Sequence, residues 1–305
     1  MAKRISKKGN IIIIFTAIVV IAVFLISAFI SESQWDKLFE KAGISGVTDS
    51  CGMSVHFIDV GQGDCTLIKL ESGENILIDS GEDIKAEKVK SYLKKEKIDS
   101  LEYCFVTHPH TDHFGGMTDI LSEVPAKTLV MPSIPAELLP DDDEYTDFKS
   151  FISKNISNII YTKAGEEFTA GDAKLEILGP LKDNKDLNAM SLVIKLTLGN
   201  SSFMICGDST EDEERDITET YDPAFLRCSV LRVGHHGSEK STCDEWLDTL
   251  APDAAVISVG RNNDFSHPSS ETLARLDNRG IRYYRTDICG DIVFIVQDDR
   301  IEVLY

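Results

Sequence analysis

The sequence predicts an α/β fold built as a four-layer αββα sandwich and preceded by one membrane-spanning helix. Three observations lead there: an uncharged run near the N-terminus, two successive groups of short β-rich runs, and helical stretches that give each group helices on one outer side. At 305 residues, with 42% hydrophobic and 27% charged residues, the composition is that of a globular protein with a sizeable core, which excludes intrinsic disorder.

Residues 1–10 carry Lys3, Arg4, Lys7 and Lys8 and read as a basic cytoplasmic tail. Residues 11–30, IIIIFTAIVVIAVFLISAFI, hold no charge and show no polar face at any helical period, so they read as a transmembrane anchor. The basic flank before this run, with Glu32 and Asp36 after it, predicts a single-pass protein of the cell membrane with its body extracytoplasmic. A cleaved signal peptide would show a shorter apolar region and a small-x-small site. Residues 31–51 read as a linker, and residues 52–305 as the folded domain.

Within that domain SVHFIDV, CTLIKL and NILIDSG read as strands joined by glycine-containing turns. Residues 83–97 form an amphipathic helix, 103–107 a buried strand, 115–122 a helix and 127–131 a strand. Residues 132–148, with Pro132, Pro135, Pro140 and the acidic run 141–144, read as a surface loop leading into a helix. The strands KLEIL, SLVIKLTL and SFMICGD follow, then a helix near 210–220, SVLRVG, a helix near 243–250, AAVISVG and a helix at 269–278. RYYRT, DIVFIVQ and RIEVL close the chain, so the second half repeats the first in outline. Seven cysteines with no CxxC pair argue against a zinc ribbon or a disulfide scaffold.

The strand YCFVT runs directly into His108-Pro109-His110-Thr111-Asp112-His113. Residues two apart in extended backbone share a face, so His108 and His110 can hold one metal ion while Asp112 and His113, at the following turn, reach a second. Imidazole with carboxylate suits zinc, manganese or iron, and two ions ~3.5–4 Å apart can activate water and stabilise the leaving oxygen of an ester. Asp208 follows an apolar strand and a glycine, where a carboxylate bridging both ions could enter from the second half; its competing role is a helix N-cap. His235 and His236 end the strand SVLRVG, one able to complete the second site and the other to donate a proton. His267, in FSHPSSE, is a further candidate for proton transfer.

The set FIDVGQGDCTLI, DSG, THPHTDHFGGM, NAMSLVIKL, ICGD, VGHHGS, AVISVG with SHPS, and TDICGDIVF resembles the metallo-β-lactamase fold and, within it, the hydrolase domain of ComEC-type competence DNA-uptake proteins, across residues 53–297. The resemblance implies that Asp79 is a structural aspartate behind the metal loop and that His108 and His110 hold one ion. It further implies that Asp112 and His113 hold the other, that Asp208 bridges them, and that His236 completes the second site while His235 faces substrate. Asp112, His235 and His267 are the expected catalytic residues. Many enzymes of this fold take one more histidine between the HxHxDH motif and the bridging aspartate, yet no histidine lies between 113 and 208. The resembling proteins place Asn and Ser there, here Asn188 and Ser191. An amide oxygen is a weaker ligand than imidazole, so Asn188 implies a labile ion, zinc or manganese, in the first site, or a site completed by substrate. Competence channels carry such a domain beside many membrane spans, and the one span predicted here cannot form the channel.

The expected function is therefore membrane-anchored, two-metal hydrolysis of a phosphate ester, with single-stranded DNA as one candidate substrate. A net charge of −20 repels polyanions, so a nuclease needs a local basic surface. Two candidates exist: Lys85, Lys88, Lys90, Lys94, Lys95 and Lys97 on the first helix, and Arg261, Arg275, Arg279, Arg282 and Arg285 near the C-terminus. The alternatives are a phosphocholine-type ester of a small molecule or cell-wall polymer, whose cationic group suits an acidic surface, a lactone, or a binding module without catalysis. The intact set of five metal-type residues argues against the last.

Overall fold

Strands apolar at both odd and even positions must be covered on both faces. Here a second sheet covers one face and helices cover the other. The computed structural model describes residues 52–297 and 300–305, so the predicted tail (1–10), anchor (11–30) and linker (31–51) lie outside the described residues. Among the described residues no helix is long and apolar enough to cross a membrane.

The chain lays down β1 (Met53–Phe57), β2 (Thr66–Leu70), β3 (Asn75–Ile78), β4 (Leu101–Phe105), β5 (Ala126–Pro132) and β6 (Ile159–Thr162) in one sheet. It then builds a second from β7 (Glu167–Ala170), β8 (Ala173–Gly179), β9 (Val193–Leu198), β10 (Ser201–Ile205), β11 (Val230–Arg232), β12 (Ala254–Ile257) and β13 (Arg282–Arg285). Finally β14 (Ile292–Gln297) and β15 (Arg300–Leu304) return to the first sheet, where β14 pairs antiparallel with β1 and sets Ile292 opposite Phe57. The sequence reading left DIVFIVQ and RIEVL with the second half; the hairpin instead closes the first sheet beside its first strand. That reading also omitted β6 and β7, the sheet-edge strands, whose exposed positions Tyr161, Glu167 and Thr169 dilute the apolar signal.

Side-chain alternation sorts the core into three layers. Ile68, Ile76 and Ile78 of the first sheet meet Ile194, Phe203 and Val230 of the second in the central layer. Their neighbours Leu67 and Leu77 point the other way, onto α1 (Ala86–Lys95), α3 (Met117–Glu123) and α4 (Asp143–Asn155), with the short α2 (Thr111–Phe114) contributing Phe114. On the far side Val193, Met204 and Leu231 pack beneath α5 (Glu211–Thr220), α6 (Pro223–Leu226), α7 (Asp244–Leu250) and α8 (Ser270–Asn278). Edge-to-face rings lock the central layer: Phe294 stands 6.0 Å from Phe57 and 5.9 Å from Phe203. Cys65, Cys104, Cys206, Cys228 and Cys243 are buried free thiols, and burial pushes the Cys104 and Cys206 thiols well above their ordinary range.

The arrangement that positions the site is the parallel half of each sheet. The run β3–β4–β5–β6 is parallel, as is β10–β11–β12–β13. In such sheets the loops beyond the carboxyl ends of the strands form the natural ligand crevice.

Candidate metal centre

Apart from Asn188, which lies between β8 and β9, the sequence-predicted site residues follow these parallel strands. Asp79 directly follows β3, the segment His108–His113 follows β4, Asp208 follows β10, His235 and His236 follow β11, and His267 lies in the loop after β12. Two glycines permit the convergence. A Cβ on Gly63 (φ +132°) would stand 2.4 Å from the Asp112 carbonyl oxygen, and one on Gly207 (φ +49°) would stand 2.9 Å from Thr107 Cβ. His235 and His236 both take left-handed backbone, φ 46° and 52°, a costly conformation that concentrates at functional turns.

The Asp208 carboxylate is buried and faces two ways. Its Oδ1 lies 3.3 Å from His113 Nε2 and 3.5 Å from His236 Nε2, while Asp112 Oδ2 lies 3.2 Å from His236 Nε2 and 3.8 Å from His113 Nε2. One ligand atom from each of these four residues falls within 4.8 Å of the others. The other oxygen, Oδ2, faces His108 Nε2 at 4.0 Å and His235 Nε2 at 3.7 Å, and His108 Nε2 is 2.9 Å from His110 Nδ1. Helix α5 takes Thr210 as its N-cap, so Asp208 carries no capping duty.

The donor atoms fit divalent cations. His113 Nε2, His236 Nε2 and Asp208 Oδ1 are all buried without a hydrogen-bond partner, an arrangement that burial makes expensive unless something else occupies the space between them. The opposite ring nitrogens are engaged. His113 Nδ1 sits 2.8 Å from Asp79 Oδ2, and His236 Nδ1 sits 3.0 Å from the Ser258 carbonyl oxygen. Those acceptors require Nδ1–H and turn each Nε2 lone pair inward. Asp79 is itself fixed by Thr107, whose backbone N–H donates at 2.8 Å and whose hydroxyl donates at 2.7 Å.

The electrostatics follow from burying several charges together. Burial opposes charge on Asp208, yet His236 and His113 hold its carboxyl well below the usual range. Burial also opposes protonation of His236, but Asp208 and Asp112 raise it to about 10, and the same carboxylates raise His113 well above the ordinary value. Protons thus compete for these imidazoles with any cation, and metal uptake must release them. His108 goes the other way, since burial and then His113 hold it well below the imidazole range.

The remaining sequence-predicted residues lie farther out. Asn188 Nδ2 is 3.5 Å from His235 Nε2, and its Oδ1 is buried with no partner. Ser191 Oγ accepts from the Asp208 backbone N–H at 3.1 Å. The His267 ring stands 5.5 Å from that of His235, and burial, then His235, takes its pKa down to about 4. Burial likewise lowers His235, so both imidazoles are neutral near pH 7. Asn188, His235 and His267 line a cleft of about 490 Å³ that also takes in Gln62, Asp142 and Phe265 and is lined by no lysine or arginine.

Two buried residues escaped the sequence reading. Arg232, the last residue of β11, donates to Asp64 Oδ1 and to the Gly207 carbonyl, and Asp64 lies 3.8 Å from His113 Nδ1 and 3.7 Å from His236 Nδ1. This pair underlies both rings. The signal was available: an arginine within an otherwise apolar parallel strand implies a buried counter-charge. Of the eleven residues in the two proposed basic surfaces, five form ion pairs among the described residues. Lys88 pairs with Asp59 and Asp291, Lys90 with Glu87 and Glu123, Arg275 with Glu211, Arg279 with Asp244 and Asp248, and Arg285 with Asp287.

Residues 58–261 match the family model of the metallo-beta-lactamase superfamily. ComE operon protein 3 of Bacillus subtilis is 29% identical over 259 residues, covering 79% of this chain and 32% of that protein. Recombination protein 2 of Haemophilus influenzae is 30% identical over 256 residues, covering 82% of this chain and 29% of that protein. The chain therefore spans about a third of the length of these curated relatives. Among solved structures, the metallo-beta-lactamase fold protein YhfI from Bacillus subtilis superposes with a TM-score of 0.53 at 13% identity, covering 80% of this chain and 99% of that one, a likeness of fold.

Proposed function

The chain belongs to the metallo-β-lactamase superfamily, and from that premise we propose that it is a two-metal phosphodiesterase acting on single-stranded nucleic acid, anchored by residues 11–30 with its hydrolase domain outside the membrane. The observation that carries the reading is the division of Asp208: one oxygen toward the orphaned Nε2 atoms of His113 and His236, the other toward His108 and His235. Asp112, His113, Asp208 and His236 would hold one ion. His108, His110, the second Asp208 oxygen and the unpartnered Asn188 oxygen would hold the other. When bound, zinc or manganese ions acidify water and neutralise charge on a phosphoryl oxygen.

The protein's own groups supply orientation and proton transfer. Asp79 and the Ser258 carbonyl keep the ligand rings in one tautomer. His235, neutral and 22% exposed at its side chain, lies at the cleft side of Asp208, where it can accept the proton of the attacking water and return it to the leaving oxygen. His267 backs that ring. The phosphodiester reading is supported by the likeness to proteins named for recombination and competence and by a cleft open to solvent, which suits an extended substrate.

The test is a parallel panel: full-length protein loaded with manganese or zinc and offered single-stranded DNA, bis-p-nitrophenyl phosphate, p-nitrophenyl phosphocholine and a lactone. Metal-dependent cleavage of the two diesters is the expected result. Turnover of phosphocholine or lactone alone would replace this reading with an alternative.

A further inference from the structure

No lysine or arginine lines the cleft, so recognition of a nucleic-acid substrate beside the reacting phosphate falls to other side chains. At its rim stands Phe265, 66% exposed, one of the few large apolar side chains left open to solvent among the described residues. One face of its ring lies against His267, with centroids 5.7 Å apart and planes 25° from parallel. The other face is open. His267 in turn meets His235 at 5.5 Å, so a line of rings runs from the rim to the Asp208 carboxylate.

The loop that presents Phe265 is firmly built. Asn263 Oδ1 accepts from the backbone N–H groups of Phe265, at 3.1 Å, and of His267, at 3.0 Å. Its Nδ2 donates to the carbonyls of Gly260 and His267. An exposed phenyl ring held in place beside a reaction centre gains nothing from folding, and it offers a flat apolar face at fixed height. At the Gly61–Gln62 turn, whose Gln62 lines the cleft, the Lys85 amine stands 3.5 Å from where a Cβ on Gly61 would lie, and it forms no ion pair among the described residues.

We propose that Phe265 is a nucleobase platform: the base next to the scissile phosphate stacks on its open face, while Lys85 meets a flanking phosphate. This rests on the phosphodiesterase reading and names what that site recognises beside the phosphate. Stacking tolerates any base, so the platform suits single-stranded nucleic acid of varied sequence. A choline group would be drawn to several rings facing one another and repelled by a lysine. Here one open ring stands at the rim, and an unpaired lysine stands at the Gly61–Gln62 turn.

The experiment compares native, Phe265→Ala and Phe265→Trp forms of the full-length, metal-loaded protein on oligothymidylate and on an abasic deoxyribose-phosphate oligomer of equal length. The native protein should show the lower KM on oligothymidylate. Phe265→Ala should raise that KM about tenfold, equivalent to about 1.4 kcal/mol and within the range for one stacked base, and so narrow the preference. Phe265→Trp should keep it. Because the ring is exposed, its loss leaves the core intact. Equal KM values for the two oligomers in the native protein, or a preference unchanged in Phe265→Ala, would overturn the platform alone. A KM rise confined to p-nitrophenyl phosphocholine would assign the ring to choline. A native protein that cleaves neither oligomer overturns the phosphodiesterase reading and the platform with it.

Discussion

Removing the Asp64 carboxylate should destabilise the domain by about 3–5 kcal/mol, the usual consequence of stranding a buried charge. The structure sets that magnitude. The Arg232 and Asp64 side chains are 1% and 6% exposed, and the guanidinium has Asp64 Oδ1 and the Gly207 carbonyl as acceptors while its Nε has none. With Asp64→Ala the nearest carboxylate is Asp208, 4.0 Å away and already committed to the histidines. For a domain of roughly 250 residues a 4 kcal/mol loss lowers Tm by roughly 8–16 °C. Replacing both partners, Asp64→Leu with Arg232→Met, removes the stranded charge and should return stability to within about 2 kcal/mol of native. Urea unfolding of the full-length chain in chelator, followed by fluorescence of the fully buried Trp246, reads both quantities without metal linkage. If Asp64→Ala costs under about 1 kcal/mol, or if the double variant is as unstable as the sum of the singles, the pair is not a coupled support for the site.

Three further outcomes follow from the same geometry. Asp79→Asn, which tolerates the left-handed backbone at φ 59°, should weaken metal binding by roughly 10- to 100-fold because His113 loses its orienting acceptor; calorimetric titration reads it, and native affinity would contradict it. His56, bonded to Ser54 and Tyr92, is lowered by burial to about 4, so the folded chain binds fewer protons than the unfolded one between pH 6.5 and 4. Stability present above pH 6.5 should therefore fall as pH drops through that window, by up to roughly 3 kcal/mol, and urea midpoints for His56→Gln should lose that part of the slope. For the anchor, protease added to intact cells should digest residues 31–305, and protection until lysis would reverse the orientation.

The residues that carry chemistry were legible because their types are costly where they stand. His108, His110, Asp112 and His113 crowd a strand end, and Asp208 and His236 end two more, so no bland role accounts for them together. Pairings distant in sequence were not legible. Asp64 lies in a Gly-rich turn that reads as a loop, and its partner Arg232 is 168 residues away. The return of β14 to β1 joins residues more than two hundred positions apart, and local periodicity carries no trace of it. The lysine-rich α1 shows the opposite failure: the sequence displays its cations, while the carboxylates that pair with Lys88 and Lys90 include Asp59, Asp291 and Glu123 from elsewhere in the fold.

Metal titration of the native protein against Asp208→Ala tests the two-ion centre most directly. The account predicts two ions per native chain, the one beside His108 and His110 held more weakly, and loss of most uptake and of diester cleavage in Asp208→Ala, because two cations without their shared anion repel each other. Native uptake and rate in Asp208→Ala would contradict it.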